Sequence, residues 1–166
     1  MKYLVISDIH GDLAFINYIF RLIETEQPDK IILLGDMMSL GDDSRRILDL
    51  IDEYRNKLVL IQGNCDYPSF FNDNLLKYYR ETINGKVFIF THGHLMSSNT
   101  IENDVYVYGH THINELEEVD NHIFFNPGSI ARPRGNSTNS YGLITDDELI
   151  IKDVDNNVIK KLTYRK

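Results

Sequence analysis

The stretch Tyr108-Gly109-His110-Thr111-His112 places two of the six histidines of the chain directly after the apolar run Val105-Tyr106-Val107-Tyr108. Small and aromatic residues alternate in this run, which predicts a buried strand. Because residues two apart in an extended segment point to the same side, the imidazoles of His110 and His112 can face a common point. An isolated His-x-His pair more often lies in a surface turn. Here other predicted strands also end in metal-binding residue types, which favours a metal site.

Length and composition indicate one ordinary globular domain, and we expect it to span residues 1–166. The net charge of −8 argues against nonspecific binding to nucleic acid or to an anionic membrane surface. One cysteine, Cys65, excludes an intrachain disulfide and suits a reducing compartment. The sequence has no leader pattern and no apolar run of membrane-spanning length. We therefore expect a cytoplasmic protein with no membrane contact.

The N-terminal part of the chain alternates predicted strands and helices. The strands are Tyr3–Ser7, Lys30–Leu34 and Leu58–Ile61, and the helices are Leu13–Glu26 and Asp43–Arg55. This order predicts right-handed crossovers and a parallel sheet. Ligands of such sheets bind beyond the carboxyl ends of the strands. The polar residues at those ends are Asp8, His10, Asp36 and Asn64.

The C-terminal part is predicted to consist mainly of strands and hairpins. Asn84-Gly85 and Asp120-Asn121 each lie between two strand patterns and predict tight turns. One of these strands ends at Thr91-His92-Gly93-His94. The two halves together predict two packed sheets with helices outside, built as one domain.

Seven residues at predicted strand ends can bind divalent cations through oxygen or imidazole nitrogen: Asp8, His10, Asp36, Asn64, His92, His110 and His112. Seven exceed the four ligands of a tetrahedral zinc ion. Two ions that share a carboxylate fit better, and ions about 3.5–4 Å apart stabilise both the attacking and the leaving oxygen of phosphoryl transfer. Taken alone, Asp36 would be assigned to an Asx turn and Asn64 to its own loop.

In their order, Asp8-x-His10, Gly35-Asp36, Gly63-Asn64, His92 and Gly109-His110-x-His112 resemble the signature of the calcineurin-like metallophosphoesterases. The resemblance covers residues 1 to about 130 and is carried by five separate blocks. The full motifs are similar to those of the YfcE-type bacterial phosphodiesterases: Asp8-Ile9-His10-Gly11, Gly63-Asn64-Cys65-Asp66, Thr91-His92-Gly93-His94, Gly109-His110-Thr111-His112 and Asn126-Pro127-Gly128-Ser129.

The resemblance implies an α/β metallophosphoesterase fold, a four-layer αββα sandwich of two mixed sheets flanked by helices. It also implies a dinuclear site that prefers Mn²⁺, although Zn²⁺, Fe, Ni²⁺ or Co²⁺ suit such mixed ligands as well. By position, one ion would take Asp8, His10, Asp36 and His112. The other would take Asp36, Asn64, His92 and His110, with Asp36 as the bridge. Water or hydroxide held between the ions is the implied nucleophile.

One position departs from the family pattern. Cys65 follows Asn64, where many members carry a histidine that protonates the leaving group. A thiol of ordinary pKa is an unusual general acid, so His94 and a metal-bound water are the alternatives. The candidate catalytic residues are therefore Asp36, Asn64, Cys65 and His94.

Several residues near these motifs have two interpretations. Asp66, Asn126 and Ser129 either support the site from behind or stabilise their own turns. Arg132 and Arg134 either recognise phosphate or are ordinary solvated loop charges, and solvated charges are the commoner case.

The sequence thus predicts a dinuclear-metal-dependent phosphodiesterase, a hydrolase that cleaves a small phosphodiester by attack of a metal-bound hydroxide. The alternatives are a catalytically weak or inactive scaffold of the same fold that binds proteins, and a phosphomonoesterase or nuclease. A homodimer or homotetramer is implied by the resemblance alone.

Overall fold

The computed structural model describes residues 1–38, 45–72, 74–95 and 103–165. The N-terminal elements are β1 (Lys2–Ile6), α1 (Leu13–Glu26), β2 (Lys30–Leu33), α2 (Arg45–Tyr54) and β3 (Leu58–Leu60). Eight strands follow: β4 (Tyr78–Ile83), β5 (Lys86–Thr91), β6 (Val105–Val107), β7 (Asn114–Val119), β8 (His122–Pro127), β9 (Ser140–Thr145), β10 (Glu148–Asp153) and β11 (Val158–Thr163). Short 3₁₀ turns lie at Arg55–Lys57 and Pro68–Phe71.

The strands form two mixed sheets. The first has the order β11-β10-β9-β1-β2-β3, in which β1, β2 and β3 are parallel and β9 to β11 run antiparallel. The second has the order β4-β5-β6-β8-β7, with β5, β6 and β8 parallel and hairpin strands at both edges. The predicted α/β architecture of two mixed sheets is confirmed.

Alternating side chains of β1 show why its sequence is apolar throughout. Leu4 and Ile6 join the core under α1 and α2, whereas Val5 joins the core between the two sheets. A strand covered on both faces has no solvent-exposed side chains, so the polar alternation is lost. Each such side chain contributes about 2 kcal/mol by leaving water. Among the described residues, both α-helices pack on the outer face of the first sheet.

Helix α1 has the bounds that the sequence predicts. Asp12 caps its first turn, because its side chain accepts hydrogen bonds from the backbone N–H groups of Ala14 and Phe15. Helix α2 begins at Arg45 within the described residues, and the predicted start at Asp43 lies outside them.

The predicted hairpin turns are confirmed by their backbone geometry. Asn84 and Gly85 have φ values of 49° and 82°, and Asp120 and Asn121 have φ values of 51° and 66°. Two consecutive residues with positive φ are typical of the tight turns that match the twist of paired strands.

Strands β1, β2, β3 and β6 end one residue earlier than predicted, because the chain turns there toward the polar residues at the strand ends. No helix of the described residues is long and apolar enough to cross a membrane.

Candidate metal centre

The seven polar residues at strand ends meet at one edge of the two sheets. Those from the first sheet follow β1, β2 and β3, and those from the second follow β5 and β6. Backbone hydrogen bonds join neighbouring loops: His10 N–H donates to the Asp36 carbonyl at 2.8 Å, and Gly109 N–H donates to the His92 carbonyl at 3.0 Å. The His110 N–H donates to Asp8 Oδ2 at 3.0 Å and so connects the two sheets.

Five of the seven residues adopt a left-handed backbone conformation. They are Asp8, His10, Asp36, His110 and His112, with φ values of 55°, 50°, 51°, 68° and 63°. This conformation costs an L-residue roughly 1–2 kcal/mol. Such strain persists only where the surrounding structure fixes it, and it concentrates at functional sites. The strand ends are therefore shaped to present these side chains, at a cost in stability.

The first group of potential ligands consists of Asp8, His10, Asp36 and His112, which are all buried. Their ligand atoms lie within 4.8 Å of one another. His112 Nδ1 lies 2.6 Å from the Arg132 carbonyl oxygen. Because a carbonyl oxygen only accepts hydrogen bonds, Nδ1 carries the hydrogen. In the neutral ring, Nε2 is then unprotonated and directs its lone pair into the site. His112 Nε2 lies 3.3 Å from His10 Nε2 and 3.2 Å from Asp8 Oδ1.

The second group consists of Asp36, His92 and His110. His92 Nδ1 donates to the Leu34 carbonyl at 2.7 Å, which directs its Nε2 into the site. Asn64 belongs to the same group by position, since its Oδ1 lies 3.0 Å from His92 Nε2 and 2.9 Å from His110 Nδ1. The division of the ligands between two ions stays a prediction, and the geometry places Asn64 beside the imidazoles of the second group.

Asp36 is common to both groups, and its two oxygens face different sides. Oδ2 lies 3.8 Å from His10 Nε2, and Oδ1 lies 3.5 Å from His92 Nε2. Burial alone would raise the pKa of Asp36, but the adjacent His92 imidazole, the hydrogen bond from the Cys65 N–H and the nearby His10 lower it well below its usual range. The carboxylate is therefore ionised and can bind cations on both sides.

Asp8 provides the test of whether a cation fits. Its Oδ2 accepts hydrogen bonds from the Ser7 hydroxyl at 2.6 Å and from His110 N–H, whereas its buried Oδ1 has no hydrogen-bond partner in the described part of the chain. With Nδ1 of His112 carrying the hydrogen, Oδ1 and His112 Nε2 are two acceptors facing each other. Only a proton or a cation satisfies both, so these residues fit a bound metal ion.

The imidazoles differ in how strongly they hold a proton. Burial is the main cause of the lowered pKa of His10. The Asp8 carboxylate, 3.2 Å from His112 Nε2, would accept a hydrogen bond from the protonated ring and so raises the pKa of His112, and Asp36 raises the pKa of His92 against the effect of burial. Protons therefore compete with metal ions chiefly at His92 and His112.

Supporting residues hold the ligand loops together. Asp66 Oδ1 accepts from the N–H groups of Met37 and Met38, and its Oδ2 accepts from Gly63 N–H, so it connects the Asp36 loop to the Asn64 loop. Asn126 Nδ2 donates to the Gly109 carbonyl at 3.0 Å, and Ser129 Oγ donates to the Asp8 carbonyl at 2.7 Å. These three residues do more than stabilise their own turns.

Ser7 is a site residue that sequence reasoning missed. It is buried, and its hydroxyl orients Asp8. Nothing in its sequence position distinguishes it from the last residue of an apolar strand. A related close approach involves Gly109, where a Cβ atom would overlap Ser7 Oγ. The tight contact between β1 and the His110 turn therefore requires glycine there.

Cys65 and His94 lie at the exposed rim of the site. Cys65 is adjacent to Asn64, whose Nδ2 lies 3.5 Å from its Sγ. Partial burial beside the site and the nearby Asp36 raise the pKa of the Cys65 thiol to about 11. The His94 ring lies 5.3 Å from the His92 ring and 6.1 Å from the His110 ring, and desolvation with these two neighbours lowers the pKa of His94.

Residues 1–148 match the family described as the calcineurin-like phosphoesterase superfamily domain. The chain is 30% identical to phosphodiesterase YfcE of Escherichia coli (strain K12), over 91% of each protein. It is 31% identical to the probable metallophosphoesterase YsnB of Bacillus subtilis (strain 168), over 87% of this chain and 84% of that protein.

Solved structures give the same relationship. The structure of YfcE, a phosphoesterase from E. coli, matches with a TM-score of 0.89 and 26% identity, covering 99% of this chain and 100% of that one. The Zn²⁺ complex of Vps29 from Entamoeba histolytica matches with a TM-score of 0.67 and 23% identity, over 99% and 100% of the two chains. At that identity the second match concerns the fold alone.

Proposed function

The chain belongs to the calcineurin-like phosphoesterase superfamily of metal-dependent hydrolases, and we propose that it is a phosphodiesterase that hydrolyses a small phosphodiester with two divalent ions. The similarity to YfcE, which is named a phosphodiesterase, supports the reaction class. Hydrolysis breaks the bond between phosphorus and the leaving oxygen, and a water oxygen takes its place.

The observation that carries this proposal is the position of Asp36 between two groups of ligand atoms. A carboxylate whose two oxygens face different imidazoles is suited to bridging two ions. Asp8, His10 and His112 would complete one coordination shell, and Asn64, His92 and His110 the other. Divalent ions in such a site polarise phosphoryl oxygens and lower the pKa of bound water.

The metal itself is proposed on chemical grounds. Carboxylate, amide and imidazole ligands suit Mn²⁺, and they also accept Zn²⁺, Fe²⁺, Co²⁺ or Ni²⁺. No cysteine sulfur belongs to either group of potential ligands among the described residues. We propose Mn²⁺ as the activating ion.

Two rim residues, Cys65 and His94, are the side-chain candidates for the general acid. Cys65, with a pKa of about 11, retains its proton at neutral pH. A thiol of that pKa can transfer its proton only to a strongly basic leaving group such as an alkoxide. His94, whose pKa is lowered, is largely neutral in the protein without metal. We therefore propose that aryl leaving groups, which are weakly basic, depart without help from either residue.

Hydrolysis of bis-p-nitrophenyl phosphate by chelator-treated protein, with and without Mn²⁺, tests the proposal. We expect activity that depends on Mn²⁺ and falls at least a hundredfold in Asp36→Asn, because losing the bridge weakens both ions. Asp104→Asn is the matched control. This carboxylate accepts a hydrogen bond from Val87 N–H at 2.7 Å, outside the site, and its loss removes the same charge.

Three results would contradict the proposal. Full activity of Asp36→Asn would exclude the bridging role, and failure of the wild-type protein to bind any divalent ion would favour a protein-binding scaffold. Faster turnover of p-nitrophenyl phosphate than of the diester would instead favour a phosphomonoesterase.

We also propose that residues 1–166 form one functional domain, because β9 pairs with β1 and the core between the sheets includes Leu149 and Ile151 of β10. A reducing cytoplasm suits the single free cysteine and is the proposed location. Self-association as a dimer or tetramer remains a prediction, which light scattering can check.

A further inference from the structure

The loop from Ser129 to Gly135 is attached directly to the first ligand group. Ser129 Oγ donates to the Asp8 carbonyl at 2.7 Å and accepts from Arg132 N–H at 2.7 Å. The Arg132 carbonyl accepts from the His112 ring at 2.6 Å, and Arg134 N–H donates to the His112 carbonyl at 3.0 Å. The backbone of both arginines is therefore fixed by the residues that present the metal ligands.

The rest of the loop is also held in place. Pro133 restricts the backbone between the two arginines. Ser137 N–H donates to the Arg134 carbonyl at 3.1 Å, and Asn139 Nδ2 donates to the Ile130 carbonyl at 2.9 Å. These contacts fix the backbone positions of both arginines beside the site. Charged residues on a free surface loop have no such fixed positions.

The side chains of Arg132 and Arg134 are exposed, and neither forms an ion pair within the described ranges of the chain. Several other cations of the described residues are paired, for example Arg46 with Asp49 and Lys30 with Glu81. In a chain with a net charge of −8, two unpaired guanidinium groups beside one site form a local positive region.

We propose that Arg132 and Arg134 bind a second phosphate of the substrate, separate from the phosphodiester that is cleaved. The preferred substrate class is then a phosphodiester that carries a terminal phosphate monoester, such as a short 5′-phosphorylated nucleotide. Guanidinium groups suit this role because their planar donors match phosphate oxygens. The inference rests on the proposed phosphodiesterase function and extends it to substrate choice.

The test compares two p-nitrophenyl esters of thymidine 3′-phosphate, one with and one without a 5′-phosphate. Both release p-nitrophenol from the same diester, so they differ only in the second phosphate. We expect the wild-type kcat/KM to be about tenfold higher for the 5′-phosphorylated compound, mainly through KM, because charge-assisted hydrogen bonds to an exposed group give gains of this order.

In the double variant Arg132→Gln with Arg134→Gln we expect this preference to disappear, while turnover of the compound without the 5′-phosphate stays within about twofold of wild type. Lysine at both positions should restore part of the preference by retaining the charge. Arg80→Gln is the control, since Arg80 is exposed on the edge strand β4 and belongs to neither group of potential ligands. The preference should also weaken as salt is added.

A binding measurement separates this inference from the proposed function. Calorimetry with thymidine 3′,5′-bisphosphate and thymidine 3′-phosphate should give a Kd ratio of about ten in wild type and about one in the double variant. Equal Kd values in wild type, or a preference retained by the double variant, would overturn the inference. Absence of hydrolysis with both esters would count against the phosphodiesterase proposal, and the Kd ratio would still decide the role of the arginines.

Discussion

Replacing Ser7 by alanine removes a single hydroxyl from behind the metal centre. That hydroxyl donates to Asp8 Oδ2 at 2.6 Å in a buried position. The other hydrogen bond to Oδ2, from His110 N–H, remains in the variant. Asp8 would therefore keep its backbone position in the variant. With one hydrogen bond to Oδ2 lost, its Oδ1 atom would be held less firmly in the direction of a bound cation.

The expected magnitude follows from the charge on Asp8. A hydrogen bond to an ionised group contributes about 1.5–3 kcal/mol. Since one of two such bonds to Oδ2 survives, we take the lower end, about 1.5 kcal/mol, which is roughly tenfold in affinity. Loss of an outer hydrogen bond in a metal site typically weakens binding by about 10- to 100-fold, which agrees.

Calorimetric titration of chelator-treated protein with Mn²⁺ measures this effect. Ser140→Ala is the matched control, because Ser140 is also buried and donates over 2.6 Å, but to the Pro127 carbonyl outside the site. We expect Ser140→Ala to lower the free energy of unfolding by about 1 kcal/mol and to leave the Mn²⁺ affinity unchanged. Equal Mn²⁺ affinity in wild type and Ser7→Ala would refute the argument that this hydroxyl orients Asp8.

Three further predictions concern the rim, the core and the contact between the sheets. Gly109→Ala should lose Mn²⁺ affinity in the same titration, because its Cβ would overlap Ser7 Oγ, whereas Gly85→Ala meets no atom within 4 Å and should keep it. Burial alone would raise the pKa of Glu26, but Lys2 and Lys152 outweigh burial and lower it. The stabilisation from this carboxylate is therefore present above pH 4.5 and is lost as the pH falls below that value. Glu26→Gln should therefore show a shallower loss of stability on acidification in pH-dependent thermal melts; an unchanged slope would contradict this. Finally, iodoacetamide should alkylate Cys65 slowly at pH 7 and faster as the pH approaches about 11, since burial raises the pKa of its thiol; rapid labelling at pH 7 by mass spectrometry would be the opposite result.

Much of the fold could be predicted because its signals are local. Helix α1 has the predicted bounds since Asp12 supplies a cap and apolar residues recur at helical spacing. The hairpin at Asn84-Gly85 was predictable because few residue pairs adopt two consecutive positive φ values. The end of β6 lies one residue before the predicted one, since tertiary contacts decide where a chain leaves a sheet.

The sequence by itself determined which residues are candidate ligands, because parallel strands end at one edge and residue types such as His110 and His112 specify the chemistry. Only the tertiary structure decided how these atoms are oriented. Which oxygen of Asp36 faces which imidazole, and which nitrogen of His92 carries the hydrogen, depend on hydrogen bonds with residues distant in the chain. Ser7 shows the same limit: its role arises from its contact with Asp8 and the close approach of Gly109, which no spacing in the sequence encodes.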